Sequence, residues 1–206
     1  MGARACVVSA QLIGLGILIG GASTRMGQDK ASLQLANGLS LLEHIVQRLA
    51  GVKAELVFSS GVSPAELAND LLAIKDIFDM RLGPVGGIIS SALWLSEHYP
   101  QLTACYFVPV DLAALNAETL QQLATNSHQI SHFTAHPLPL YLALNSTTVQ
   151  ICHDLIPVIQ KQGGMSVYQF IQHFAMRQEI NCAAPENLNN LNYFWQWEQF
   201  IHENSI

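Results

Sequence analysis

Charge is scarce in this sequence: of 206 residues only 12% are charged, with nine Lys and Arg against fifteen Asp and Glu, giving a net charge of −6. Neutralising a nucleic-acid backbone takes clustered cations, so no nucleic-acid partner is expected, and any anion must be held locally by a few residues. Cysteine is thin as well. Cys6, Cys105, Cys152 and Cys182 form no C-x-x-C pair and no compact framework, which excludes a disulfide scaffold and reads as reduced thiols in a cytoplasmic protein. A long apolar run is also missing. The opening 21 residues are interrupted by Arg4, Ser9 and Gln11 and meet no small-residue cleavage site, so neither a secretory signal nor a membrane association is expected. Gly2 lacks the Ser or Thr at position 6 that myristoylation needs, because Cys6 stands there. Repeats, low-complexity tracts and domain linkers are absent, so residues 1–11 read as an extension and 12–206 as one domain.

Against that background one run stands out: Leu18-Ile19-Gly20-Gly21-Ala22-Ser23-Thr24-Arg25-Met26-Gly27-Gln28-Asp29-Lys30. It joins an apolar strand-like stretch to a glycine-rich turn and then to two cations. Glycine lets backbone N–H groups approach a polyphosphate closely, Arg25 offers a planar fork and Lys30 a compact point charge. The run is not a Walker loop, since Lys30 follows Asp29 rather than glycine. Gly14, Gly16 and Gly20 nearly spell a dinucleotide fingerprint, but Gly14 and Gly16 fall inside the expected strand and no acidic residue follows at a clear second strand end.

Onward, short β-like runs alternate with helix-like segments. Ser40 to Glu43 is a capping box, and Leu41, Leu42, Ile45, Val46 and Leu49 keep helical spacing as far as Gly51. Strands are expected at 55–60, 72–75, 103–110, 130–135, 140–144 and 178–182. Further helices are expected from Ser63, at 84–99, from the cap Asn116 to Ala124, at 147–161 and 167–176, and in a terminal segment carrying Trp195 and Trp197. In that last segment the aromatics read as core or edge packing, with a partner surface as the alternative. The βαβα alternation predicts an α/β chain with a parallel sheet covered on both sides.

Ligands of such sheets collect at the carboxyl ends of strands. Asp111 ends the 103–110 strand, where it reads either as a cap on the turn through Leu115 or, with the cationic loop beside it, as a carboxylate for Mg²⁺. Asp76 and the stretch Gly83-Pro84-Val85-Gly86-Gly87 read as simple turn chemistry or as a place where something approaches the backbone. His128, His132 and His136 are spaced by four; this suits a helical metal site, but the segment reads as strand and loop, where the same spacing keeps one face.

Together these residues resemble the molybdenum cofactor guanylyltransferase family, whose opening motif L-A-G-G-x-S-x-R-M-G-x-D-K is matched from Leu18 to Lys30 except at Ile19. The family's G-P-x-x-G segment is matched by Gly83, Pro84 and Gly87 with Asp76 ahead of it, its strand-ending acid by Asp111, its H-P step by His136 and Pro137, and its late motif by Asn181, Pro185, Glu186 and Leu188. The departures are Ile19 for Ala, Ser59 and Ser60 near a usual Asn, Leu112 and Ala113 after the acid, and Ala183 for a second late Asn. The resemblance implies a three-layer Rossmann-like nucleotidyltransferase fold with a mostly parallel central sheet. It implies GTP and molybdenum-molybdopterin as substrates, with other proteins of molybdenum cofactor biosynthesis as candidate partners. Arg25, Lys30 and Asp111 are then the catalytic residues, and Asp111 holds the Mg²⁺. Leu18, Ile19, Gly20, Gly21, Lys30, Ser59, Asp76, Gly83, Asp111, His136 and Asn181 form the binding site. Related cytidylyltransferases typically carry Ala where Gly20 stands, so Gly20 points to GTP. The alternatives are a cytidylyl- or sugar-phosphate nucleotidyltransferase of the same fold, or a nucleotide-binding adaptor with weakened catalysis, which Ala113 and Ala183 motivate.

Overall fold

The computed structural model describes residues 11–19, 34, 38–61, 71–80, 82–124, 128–191, 196, 199 and 200. The expected loop at 20–30, the helix from Ser63 and the Trp195 and Trp197 pair lie outside them. The strands are β1 (Ile13–Leu18), β2 (Leu56–Ser60), β3 (Leu72–Ile74), β4 (Ala104–Pro109), β5 (Ile130–Phe133), β6 (His136–Ala143) and β7 (Arg177–Ile180). They form one sheet in the order β3-β2-β1-β4-β6-β5-β7. Pairing is parallel from β3 to β4 and between β5 and β7, while β6 runs antiparallel to both β4 and β5. The sheet is therefore mixed rather than wholly parallel, because a two-residue turn at Thr134 and Ala135 folds β6 straight back on β5.

Helices cover both faces, which makes three layers. Alternate residues Leu18, Phe58 and Phe107 point to one side, where α2 (Pro84–His98), α4 (Ser146–Gln162) and α5 (Val167–Gln172) bury Ile88, Ile159 and Phe170. Leu15, Ile17, Tyr106 and Val108 point to the other, against α1 (Leu41–Arg48) and α3 (Ala117–Gln121). The strand glycines serve this packing: a Cβ on Gly16 would lie 2.6 Å from the Phe58 ring. Gly16 is thus the floor under an aromatic, consistent with its exclusion from a phosphate fingerprint.

Local signals explain most element starts. Ser40 and Glu43 cap α1 reciprocally, Glu43 N donating to Ser40 Oγ at 3.2 Å and Ser40 N to Glu43 Oε2 at 2.7 Å. Asn116 Oδ1 accepts from Thr119 N at 2.8 Å to open α3. Several ends differ from expectation. Strand β6 begins at His136 rather than at 140, because Pro137 and Pro139 lie where β6 overhangs the β4 ladder, which stops at Leu140, and beside an irregular register at His132 and Phe133. Helix α3 stops at Gln121 and α5 at Gln172, short of Ala124 and Met176, and β7 spans Arg177–Ile180, one residue earlier than expected at its start and two at its end. Among the described residues no helix is long and apolar enough to cross a membrane.

Candidate active site

Strand direction gathers the sequence-singled residues at one edge. Strands β1 to β4 end there, β6 starts there, and β5 and β7 end there. Along that edge the order is Asp76 after β3, Ser59 and Ser60 closing β2, Leu18 and Ile19 at the end of β1, Asp111 after β4, His136 opening β6, and Asn181 after β7. Gly20, Gly21, Arg25 and Lys30 lie outside the described residues. Neighbouring strands sit about 4.8 Å apart, so Asp76 and Asn181 each stand three strand steps, roughly 14 Å, from the Asp111 strand. Among the described residues the candidates form a line rather than a cluster.

At the β3 end, Asp76 is half-buried with its Oδ1 carrying no hydrogen bond among the described residues, and burial pushes its carboxyl above the ordinary range. Beside it α2 begins with the exposed Gly83 and Pro84, without a side-chain cap. One turn on, a Cβ on Gly87 would lie 2.7 Å from Ser60 Oγ and 3.5 Å from Asp76 Oδ1, so glycine is what lets the helix approach both. Ser91 Oγ donates to Ser60 Oγ at 2.9 Å, and Ser90 Oγ accepts from Ile77 N at 3.0 Å and donates to Gly86 O at 2.8 Å. These bonds tie the loop after Asp76 to the helix. Ser59 and Ser60 are both buried, but they alternate: Ser60 shares the Asp76 and α2 side, Ser59 the α1 side. Ser90 and Ser91 carried no recognisable sequence signal, because their role depends on helix and strand meeting in space, and Ser60 was legible only as standing near a usual Asn.

In the middle of the line, Val110 N donates to Leu18 O at 3.2 Å, Ile19 N to Ser60 O at 3.1 Å and Leu191 N to Asp111 O at 2.9 Å. The end of β4 is thereby fastened to β1 and to the late chain, with half-buried Asp111 between them. Mg²⁺ accepts one or two protein carboxylates and completes its shell with water and phosphate oxygens. A single strand-end aspartate suits a cation that arrives with a polyphosphate, and no group of three or more metal-binding side chains occurs among the described residues.

At the far end, half-buried His136 starts β6, and Thr134 Oγ1 donates to Asn181 Oδ1 at 3.0 Å, joining the β5–β6 turn to the end of β7. Ala183 N donates to Gln122 Oε1 at 3.2 Å, a backbone bond that needs no particular side chain at 183. The three spaced histidines do not share one strand: His128 precedes β5, His132 lies within it and His136 follows the turn. His132 is a packing residue, with Nδ1 2.9 Å from Phe133 O and its ring edge-on to Tyr168. Cys105 and Cys152 are buried free thiols whose ionisation burial disfavours, Cys152 being pushed up to about 12, so neither suits a nucleophile.

Comparison with known proteins gives the line a context. The model of the MobA-like NTP transferase domain matches residues 15–173. A molybdenum cofactor guanylyltransferase of Xanthomonas euvesicatoria pv. vesicatoria (strain 85-10) is 31% identical over 192 residues, covering 91% of this chain and 94% of that protein. Among solved structures, molybdopterin-guanine dinucleotide biosynthesis protein A from Archaeoglobus fulgidus superposes with a TM-score of 0.68 at 14% identity, covering 93% of this chain and 98% of the other. The 2-C-methyl-D-erythritol 4-phosphate cytidylyltransferase of Thermus thermophilus gives 0.64 at 12% identity, over 95% and 100% of the two chains. These two structures share the fold, whereas the domain match and the full-length relative carry ancestry: the chain belongs to the MobA-like NTP transferase family, and it is a nucleotidyltransferase.

Proposed function

We propose that this protein transfers GMP from GTP to the terminal phosphate of molybdenum-molybdopterin, giving molybdopterin guanine dinucleotide and pyrophosphate. The observation that carries the choice of base is Asp76 Oδ1 at one end of the line, which has no hydrogen-bond partner among the described residues. A carboxylate only accepts, and guanine presents adjacent N1–H and N2–H donors that a single carboxylate can take together. Cytosine has one amino donor beside acceptors, which would face the same carboxylate unfavourably. This supports GTP over CTP independently of Gly20, and it favours the guanylyl reading over a cytidylyltransferase of the same fold.

The order of groups along the edge matches the order of parts in the two substrates. The base lies toward Asp76 and Gly83, the ribose and phosphates over Leu18, Ile19, Gly20 and Gly21, and the acceptor toward His136 and Asn181. Arg25 and Lys30 hold the β and γ phosphates, and Asp111 is the residue that would hold Mg²⁺. When bound, the ion offsets charge on the α phosphate and the departing pyrophosphate. An oxygen of the acceptor's terminal phosphate attacks the α phosphorus as the bond to the bridging β oxygen breaks, and the electron pair leaves with pyrophosphate. Such transfer needs alignment and charge stabilisation rather than a covalent nucleophile, in keeping with the buried thiols of Cys105 and Cys152. The substrates are soluble metabolites, which supports a cytoplasmic setting.

Pure protein incubated with Mg²⁺, molybdate-loaded molybdopterin and either GTP or CTP tests the reading. The expected result is a guanine dinucleotide and pyrophosphate with GTP alone. A cytosine dinucleotide would refute the base assignment, and GTP binding without pyrophosphate release would select the adaptor reading.

A further inference from the structure

We propose that His44 and Arg48 of α1 are positioning residues for Asp111, acting through the backbone of the segment that follows it. This rests on the reading of Asp111 as the carboxylate that holds the metal. After Asp111 the chain turns toward α3, and three successive carbonyls, those of Ala113, Ala114 and Leu115, receive side-chain donors from one helix. His44 Nε2 lies 3.0 Å from Ala113 O, Arg48 Nη2 donates to Ala114 O at 2.9 Å and Arg48 Nε to Leu115 O at 3.0 Å. The two side chains are four residues apart and so share one helix face. The rigid guanidinium fork spans two adjacent carbonyls, a task that a lysine ammonium on its flexible stem does not reproduce.

The remaining contacts close the same segment. Leu115 N donates to Leu112 O at 3.0 Å and Leu112 N to Pro109 O at 3.3 Å, while Leu191 N holds Asp111 O from the other side. The His44 ring is half-buried, edge-on to Phe200 with centroids 5.6 Å apart. A carbonyl can only accept, so Nε2 carries the proton. Burial lowers the tendency of His44 to take a second proton, so the neutral ring serves. The network acts through this backbone. It fixes where the 111 carboxylate stands, and in a reaction that runs on alignment a displacement of about 1 Å costs on the order of 10²-fold in rate.

The experiment compares His44→Leu, His44→Gln, Arg48→Lys and, in parallel, Asp111→Asn. Each is checked for fold by circular dichroism, for kcat and KM with GTP, and for Mn²⁺ affinity by electron paramagnetic resonance with a non-hydrolysable GTP analogue. In His44→Leu and Arg48→Lys, kcat and Mn²⁺ affinity should each fall roughly 10- to 100-fold, with KM for GTP within about twofold of wild type. His44→Gln keeps an N–H donor for Ala113 O and should recover most of the loss. Should His44→Leu fail to fold, Arg48→Lys and His44→Gln still decide the matter. Folded variants with wild-type kcat and Mn²⁺ affinity, beside an inactive Asp111→Asn, would overturn the positioning role alone. Wild-type turnover and Mn²⁺ affinity in Asp111→Asn would overturn the metal reading and this proposal with it.

Discussion

A carboxylate half withdrawn from water, with an oxygen that has no partner among the described residues, is a cost to the folded state, and at Asp76 it is accepted beside the glycine that gives α2 room. The sign of the effect on stability follows from the raised pKa. Above the ordinary aspartate value of about 3.9 the unfolded chain holds fewer protons on this group than the folded one, so its contribution to stability falls as pH rises through the interval up to the folded value. Asp76→Asn removes that penalty. The variant should melt higher than wild type at neutral pH, and the difference should shrink as pH falls toward 4, which thermal denaturation across a pH series will measure. Function should move the other way. Charge-assisted hydrogen bonds are worth about 1.5–3 kcal/mol, so KM for GTP should rise roughly ten- to hundredfold. A variant that melts higher and uses GTP as well as wild type would remove Asp76 from the base site.

Elements show which parts of the design are written locally. Ser40 with Glu43 announced α1, Asn116 announced α3, and the apolar run at 103–110 announced β4, because caps and burial patterns are properties of a few consecutive residues. Asp76 and Asp111 were legible for the same reason, as polar residues placed just after strands. The direction of β6 was not, since a strand's own residues do not state which neighbour it will pair with, and its two prolines hid four residues of it. The link from His44 and Arg48 to residues 113–115 spans 66 to 69 positions, and no spacing rule reaches that far. Helix α1 thus connects a local signal to a remote one, and its cap can be tested by itself. Ser40→Ala removes the acceptor of Glu43 N and should cost about 1 kcal/mol, lowering the melting temperature by roughly 2–4 °C for a chain of this size. Calorimetry will measure it, and an unchanged melting temperature would mean that packing of Leu41, Leu42 and Ile45 holds the helix without its cap.

At the scale of the molecule, the sheet acts as a ruler. Its strands deliver the Asp76 acceptor, a strand-end carboxylate and a distant histidine and amide in sequence along one edge, so a ligand that reads the line must be long. Occupying the line should stabilise the whole protein, because the strand ends that grip the ligand belong to the same sheet that both helical layers cover. Ligand that binds only the folded state contributes RT ln(1 + [L]/Kd), about 2.7 kcal/mol at one hundred times Kd. For a chain of this length that corresponds to a rise in melting temperature of roughly 5–10 °C. GTP with Mg²⁺ should produce this rise in differential scanning fluorimetry, and CTP at equal concentration should produce little of it. In Asp76→Asn the difference between the nucleotides should collapse, because the acceptor that distinguishes their bases is gone. In Asp111→Asn the preference for GTP should persist while the Mg²⁺-dependent part of the rise disappears, since base and metal are read at places about three strands apart. Equal shifts with GTP and CTP in the wild-type protein would show that the base is not read at Asp76, and the guanylyl assignment would then lose its structural support.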